Sequence, residues 1–464
     1  MKDFSEIQKA IEKRMQDDGI HPDVIHSFIH NTKKVYDGFS GKISFDEIQE
    51  PTLEDLIFYK ELKTKLLKKK YLKRLVVIKL NGGLGSSMGL SKAKSIIPLK
   101  DKKNFLEITL NQLNLLRRRT RVEIPLIFMN SFSTREDTLK TKGIRGLNSL
   151  TEFKFPEDFV QNRVPKLNAA TLMPIGDGSD PGDWCPPGHG DIYLSLKNSG
   201  ILDMLINAGK DIAFVSNSDN LGASVTSRIL ARFVKQNLEF AMEVTAKTTS
   251  DLKGGIPVKR NGRIELLEIA QVHEKNVKDF QDTERFSYFN TNNLWIHLPS
   301  LKRRMEKELD LPLIINPKFY NGQDIIQLET AMGAAIGLFE NTRAFVVPRK
   351  RFAPVKTCSD LLVRRSDAYV MEEKSGLLKR NPLRDSHEVH VTLDGNYKNL
   401  EDFERYFTNI PSLLHAATFK VNGPVHFDIP VSILGDVVIN NPTDSVCKIS
   451  DIGKIKFENE TYTF

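Results

Sequence analysis

The sequence predicts an α/β protein on a parallel or mixed sheet, preceded by a helical segment and followed by a β-helix. Three observations carry this. Short, nearly continuous apolar runs alternate with helix-period stretches through the middle of the chain, the mark of βαβ units. The first residues carry apolar positions three or four apart. In the last eighty or so, Val425, Val431 and Val437 stand six apart, and Phe427, Ile433 and Ile439 repeat the step. Equal apolar intervals of this kind place side chains inward from successive flat faces of a coil, with Pro424, Pro430 and Gly435 as corner residues. An antiparallel meander also yields even spacings.

At the N-terminus, Phe4, Ile7, Ile11 and Met15 define one helix face, and Val24, Ile25, Phe28 and Ile29 begin another after Pro22. No chemistry is evident there. A third helix is expected where Leu62, Leu66, Leu67 and Leu72 line one side and Lys68, Lys69, Lys70, Lys73 and Arg74 the wet side. The pattern changes at Leu75–Leu80, an apolar run suited to a buried parallel strand, and similar runs follow at Ile124–Met129 and Ile212–Val215. Helices are expected at Leu106–Arg117 and Ile201–Ala208. These changes divide the chain into a helical segment 1–73, a central domain 74–384 and a C-terminal domain 385–464.

The composition bounds the function. The 464 residues are 40% hydrophobic and 27% charged, an ordinary globular mixture that implies more than one domain. No stretch approaches the ~20 apolar residues of a membrane span. The charged N-terminus lacks the apolar run of a secretory signal, so the cytoplasm is the expected location. Cys185, Cys358 and Cys447 are too scattered for a disulfide framework or a zinc site. The net charge of +8 favours a polyanionic partner, but no zinc-finger or RNA-recognition pattern accompanies it, and nucleic acid is not expected to be one.

Leu80-Asn81-Gly82-Gly83-Leu84-Gly85-Ser86-Ser87-Met88-Gly89 follows the first strand directly. Glycines let a backbone turn tightly and approach a ligand, and the amides of such a loop, with a helix N-terminus behind it, cradle an anion. The third glycine falls one place late for a dinucleotide loop, and Ala93 precedes Lys94-Ser95 where a P-loop has glycine. The loop therefore suits a phosphate ligand of another class, with Lys92 or Lys94 as charge partner.

The segment LNGGLGSSMGLSKAKS resembles the signature loop of eukaryotic-type UDP-glucose pyrophosphorylases. WCPPGHGDIY, FVSNSDNLGA, LLEIAQV, FNTNNLWI, LETAMGAAI and RFAPVKTCSDLL follow in that family's order. The likeness is good from about residue 75 onward and poor in the N-terminal helices. It implies a Rossmann-like nucleotidyltransferase domain with a mixed sheet and a left-handed parallel β-helix behind it. It also implies an activity: an oxygen of glucose 1-phosphate attacks the α-phosphorus of UTP, giving UDP-glucose and pyrophosphate. Galactose 1-phosphate or an N-acetylhexosamine 1-phosphate is the alternative acceptor. A non-catalytic scaffold is disfavoured because Lys94, Asp219, His189 and Lys356 are all retained.

Carried over by motif, Lys94 and Lys356 become the catalytic cations. Leu80, Asn81, Gly82, Gly83, Gln161, Gly188 and Asp219 complete the UTP site. The sugar phosphate falls to Gly82, Gly83, His189, Asn217, Ser218, Asp219, Gly255, Glu268 and Asn292. Asp219 is the implied Mg²⁺ ligand; one hard carboxylate plus substrate phosphates suffices for that ion. His189 serves as a hydrogen-bonding group, since a phosphate oxygen needs no base. Gln161 offers the donor and acceptor that a uracil edge demands. Lys356 is expected at a strand end, with Arg349, Lys350 and Arg351 as a general positive field. The family usually has an aliphatic residue at Ser218 and often an aromatic one at Cys185, whose thiol suggests either a redox switch or a structural cysteine. The chain's last residues, Lys456–Phe464, look shorter than in assembling relatives; Phe457, Tyr462 and Phe464 can cap the last coil, so a monomer or small homo-oligomer is expected.

Overall fold

The computed structural model describes all residues except 1–2, 63–67, 150–152, 249–250, 308 and 385–387. Its centre is an eight-stranded sheet. The strands in chain order are β1 (Leu56–Phe58), β2 (Leu75–Asn81), β3 (Leu126–Asn130), β4 (Asp158–Val160), β5 (Ile212–Asn217), β6 (Phe240–Ala246), β7 (Tyr288–His297) and β8 (Thr342–Val346). In space they lie in the order β1-β8-β6-β7-β5-β2-β3-β4. All neighbours run parallel except at β7, which is antiparallel to both β5 and β6. The sheet is thus mixed, with one reversed strand at its middle.

Both faces are covered, which explains why the strands read as continuous apolar runs. Val76, Ile78, Ala213, Val215, Leu294 and Ile296 pack on one side against Ile192, Leu196, Leu202 and the Met332–Leu338 turn. Leu75, Val77, Phe214, Trp295 and Phe345 pack on the other against helices Phe105–Thr120 and Ser227–Lys235. The first of these two helices starts at a capping box made by Asn104 and Glu107.

The N-terminal expectation holds in part. Helices α1 (Phe4–Asp17) and α2 (Pro22–Tyr36) bury Ile7, Ile11, Met15, Val24, Ile25 and Phe28. The segment is not helical throughout, because Leu-Ile-Phe at 56–58 pairs with Ala344–Val346 as the edge strand β1. Among the described residues of the Lys-rich stretch, Lys69–Leu72 is helical and Arg74 bonds Asp211; Leu66 and Leu67 lie outside the described residues. Among the described residues, no helix is long and apolar enough to cross a membrane.

The C-terminal part stacks parallel strands: β9 (His390–Leu393), β10 (Ser412–Asn422), β11 (Ser432–Asn440), β12 (Lys456–Glu458) and β13 (Thr461–Thr463). Phe419 lies beside Val437 and Val421 beside Ile439, three six-residue steps apart. The parallel register excludes the antiparallel meander. All six hexad residues are buried. Gly423 turns with φ +81°, and a Cβ there would lie 1.9 Å from the Asn441 carbonyl, so this turn needs glycine. Phe457 is buried beneath the rings of Tyr462 and Phe464, at 5.0 and 6.5 Å, so the chain's last residues fold onto their own coil.

A fully buried ion pair joins the sheet to its loops. Glu243 of β6 accepts hydrogen bonds from Arg351 Nε (2.7 Å) and Nη2 (2.6 Å), Asn293 Nδ2 (3.1 Å) and Trp295 Nε1 (3.0 Å). Removing one partner leaves an uncompensated buried charge. Glu243→Ala is therefore expected to cost about 3–5 kcal/mol in urea unfolding, whereas replacing both Glu243 and Arg351 by Met costs less. A Glu243→Ala loss below about 1 kcal/mol would show the pair to be dispensable.

Candidate active site

The C-terminal ends of the parallel strands are where an open α/β sheet places its ligands. A cavity of about 400 Å³ lies there. Gly188, His189, Asn217, Asp219, Gly255, Glu268, Asn292 and Lys356 line it, eight of the residues named from sequence.

Asp219 lies two residues past the end of β5. Its carboxylate accepts a hydrogen bond from Lys94 Nζ at 2.9 Å, and both side chains are largely buried. The next residue, Asn220, donates to the carbonyl of Arg351 (3.2 Å) and accepts from the Ala353 amide (2.9 Å). Asn220 also bridges Pro354. The Asp219 turn and the Lys356 segment therefore lie side by side, both tied to the Glu243–Arg351 pair.

Lys356 itself is exposed and lies on a loop, not a strand end. Thr357 and Asp360 form a capping box immediately after it and start helix Cys358–Arg365, which ends any extended run. Nor do the neighbouring arginines supply a diffuse surface field. Arg349 pairs with Asp251, and Arg351 is buried on Glu243. Lys92 is exposed, leaving Lys94 as the loop lysine that meets Asp219.

The glycine loop approaches Gln161 closely: a Cβ on Gly82 would lie 2.3 Å from Gln161 Oε1, whereas a Cβ on Gly83 would meet nothing. Behind the loop there is no α-helix. Short 3₁₀ turns at Ser86–Met88 and Lys94–Ile96 follow instead, so any anion cradle here is made of loop amides. Leu80 is the last residue but one of β2 and is partly buried. The Asn81 side-chain amide nitrogen is committed to the protein, donating to Asn130 Oδ1 (3.0 Å) and Thr138 Oγ1 (2.7 Å). Ser218 Oγ is buried without a partner.

On the other wall, His189 Nδ1 accepts from the Met332 amide at 2.8 Å, so the ring proton sits on Nε2. Enclosure by protein lowers its pKa to about 4 and keeps it neutral. Gly188 has φ +80°, and a Cβ there would lie 2.4 Å from the Thr330 carbonyl. Burial raises the Glu268 carboxyl to about 7 against the opposing pull of Lys356, and a Cβ on Gly255 would lie 2.7 Å from that carboxyl group. Asn292 has φ +57°; Asn290 and Asn292 bond each other, with the Asn290 amide donating to Asn292 Oδ1 at 2.8 Å. Burial pushes the Cys185 thiol up to about 12, the environment of a structural cysteine rather than a reactive one.

Some site residues were not anticipated. Asn316, Glu329 and Thr330 also line the cavity, and Asn316 Nδ2 donates to Glu329 Oε1 at 2.9 Å. The LETAMGAAI block already contained two of them. Lys79, under the site, is buried and donates to Ser216 Oγ (2.8 Å) and the Ala223 carbonyl (3.2 Å); burial lowers its pKa to about 7. Among the described residues, no group of three or more His, Cys, Asp or Glu side chains has the arrangement of a metal cluster.

Residues 25–433 match the family model described as UTP–glucose-1-phosphate uridylyltransferase. UTP–glucose-1-phosphate uridylyltransferase 2 of Dictyostelium discoideum is 39% identical over 424 residues, covering 89% of this chain and 81% of that protein. The enzyme of Solanum tuberosum is 40% identical over 421 residues, 89% of this chain and 87% of its own length. Among solved structures, a Trypanosoma brucei UDP-glucose phosphorylase superposes with a TM-score of 0.89 at 38% identity, over 99% of this chain and 100% of that one. A Leishmania major UDP-glucose pyrophosphorylase variant crystallised with UDP-glucose gives 0.89 at 36% identity, over 99% of each chain. The family match extends into α2, further toward the N-terminus than the resemblance of the sequence blocks had reached, and the chain belongs to the UTP–glucose-1-phosphate uridylyltransferase family.

Proposed function

We propose that this protein transfers the uridylyl group of UTP to glucose 1-phosphate. A non-bridging oxygen of the sugar phosphate forms a bond to the α-phosphorus. The bond from that phosphorus to the β-bridging oxygen breaks, and its electron pair leaves with pyrophosphate. The observation that carries the reading is one cavity lined by Lys356 and by Asp219, whose carboxylate bonds Lys94, with neutral His189, Glu268 and Asn292 also on its walls. Two polyanions must be brought together here, so positioning and charge neutralisation supply the catalysis.

Lys94 and Lys356 stabilise charge on the phosphates, the glycine-loop amides approach them, and His189 donates its Nε2 proton as a hydrogen bond to the sugar phosphate. Gln161 and the Gly188 backbone read uracil. Gly255, Glu268 and Asn292 face the glucose hydroxyls. Asp219 is the residue that would hold Mg²⁺, since one hard carboxylate suffices for that ion when substrate phosphates complete its shell. The ion, when bound, supplies charge neutralisation. The central domain is read as Rossmann-like, the C-terminal stack as a left-handed β-helix, and the protein as cytoplasmic.

Asp219→Ala is expected to abolish pyrophosphate release from UTP, glucose 1-phosphate and Mg²⁺ with the fold intact by circular dichroism; normal turnover at low Mg²⁺ would remove Asp219 from the metal site. Lys94→Ala and Lys356→Ala should each lower kcat about 10²- to 10³-fold, as loss of an oxyanion-type donor does. A change in KM alone would make either lysine a uniform phosphate binder. CTP reverses the donor and acceptor pattern of the base, so wild-type enzyme should prefer UTP strongly, and Gln161→Ala should erode that preference. Equal efficiency with both nucleotides would refute the base assignment. Because the last residues cap their own coil, light scattering at micromolar concentration is expected to give the mass of one chain or a small oligomer, and a mass near eight chains would contradict the cap.

A further inference from the structure

The N-terminal helices carry no residue of the proposed chemistry, yet they break a local rule. Helix α1 ends in Asp17-Asp18-Gly19, with Asp18 at its C-cap. Carboxylates are unfavourable at a helix C-terminus, where the backbone already presents partial negative charge. The structure supplies the compensation. Both oxygens of Asp18 accept from the Arg163 guanidinium: Nε bonds Oδ2 at 2.6 Å, and Nη2 bonds Oδ1. A bidentate fork of this kind fixes orientation as well as distance.

Arg163 lies two residues after Gln161. Its guanidinium carbon stands 4.8 Å from the ring centre of Trp184 and 5.6 Å from that of Phe132. Trp184 opens the segment that runs to Gly188, and it is locked by its Nε1 donating to the Gly178 carbonyl at 3.0 Å. Phe132 follows Ser131, whose Cβ flanks Gly82. One guanidinium, carried on the Gln161 segment, thus touches a residue from each of two other segments proposed to surround the nucleotide base: the Gly188 segment and the loop beside Gly82. The strands Val164–Pro165 and Trp184–Cys185 pair directly behind it. Helix α1 holds the same region a second time through Arg14, which donates to the carbonyls of Ile175 (3.0 Å) and Gly176 (2.7 Å). Ile7, Ile11 and Met15 share one apolar cluster with Val164, Trp184 and Cys185.

We infer that Asp18 and Arg163 are positioning residues for the uracil site, and that the N-terminal helices serve as a clamp that holds the base-reading loops in register. Neither residue touches the reacting phosphates. The inference rests on the assignment of Gln161 and Gly188 to uracil. Losing a charge-assisted pair should then weaken nucleotide binding and leave the sugar site alone.

The test is steady-state kinetics of the full chain with Asp18→Asn, Arg163→Met and Asp18→Glu, each checked by thermal melting. Asp18→Asn and Arg163→Met should raise KM for UTP by about tenfold, the size expected for one charged hydrogen-bond pair. KM for glucose 1-phosphate and kcat should stay within about twofold, and Asp18→Glu should recover part of the loss. Asp18 and Arg163 should also be non-additive in the double variant, since each acts through the other. An unchanged KM for UTP in Asp18→Asn overturns the clamp, as does a parallel shift in KM for UTP, KM for glucose 1-phosphate and kcat, which marks a general structural role. Failure of the underlying base assignment appears elsewhere, as wild-type enzyme that uses CTP as readily as UTP.

Discussion

The buried pair between Glu243 and Arg351 is the constraint on which the site depends. Glu243 sits in the middle of β6 with no exposure to solvent, where an unpaired carboxylate would be untenable. Two guanidinium nitrogens and two side chains of β7 satisfy it. Arg351, so fixed, offers its carbonyl to Asn220, and Asn220 holds the Ala353 amide. The turn bearing Asp219 and the segment bearing Lys356 are thereby referred to the same buried charge. The reversed strand β7 is what makes this possible: its Asn293 and Trp295 reach the same carboxylate from within the sheet. A site that must hold two phosphate-bearing substrates within reacting distance needs walls that do not drift, and a satisfied buried network provides them.

The second constraint comes from the C-terminal stack. Its core does not stop at the stack but continues into Met88 of the glycine loop and into Ile97, Leu99 and Phe105 beyond it. A Cβ on Gly89 would lie 2.6 Å from Asn399 Oδ1, so the loop's far end is pressed against this part of the chain. Helix Cys358–Arg365, which begins one residue beyond Thr357, contributes Cys358, Leu361 and Leu362 to the same core. Lys94 and Lys356 are therefore carried on two segments that share one apolar foundation.

Much of this was legible in the sequence, and what was missed follows a pattern. β2, β3 and β5 stood out because strands covered on both faces become apolar throughout. The hexads stood out because a coil with flat faces repeats its inward residues at a fixed step. Asp219, His189, Gly188 and Glu268 were legible through motif blocks, and all of them line one cavity. β1 was missed because three residues at a sheet edge give too short a run to distinguish from a helix turn. Lys356 was misplaced on a strand because alternation around it looked extended, whereas the Thr357–Asp360 capping box decides the local structure. Glu243 gave no signal: one acid inside Phe240–Ala246 looks like a solvated position until its partners, far along the chain, are known. Buried polar networks are assembled from residues distant in sequence, and single-chain patterning does not register them. The bonds from the Asn81 amide nitrogen to Asn130 and Thr138 were illegible for the same reason.

The charge at the site is graded in a way that suits the proposed chemistry. Lys94 and Lys356 are the cations proposed to face the phosphates, whereas the groups proposed for the sugar are less charged: His189 is neutral because enclosure opposes its protonation, and burial raises the Glu268 carboxyl to about 7. A neutral imidazole donates a hydrogen bond without adding a fixed positive charge that would hold the sugar phosphate too tightly in the ground state. Interactions that bind substrate and transition state equally do not raise kcat, so strong charge is best reserved for where negative charge develops. Lys79 extends the same logic below the floor of the site. Its ammonium is held by a serine hydroxyl and a carbonyl rather than by a carboxylate, and burial lowers its pKa to about 7. The carboxylates of Asp219 and Glu243 favour its charged form, and burial, with Arg351, outweighs them.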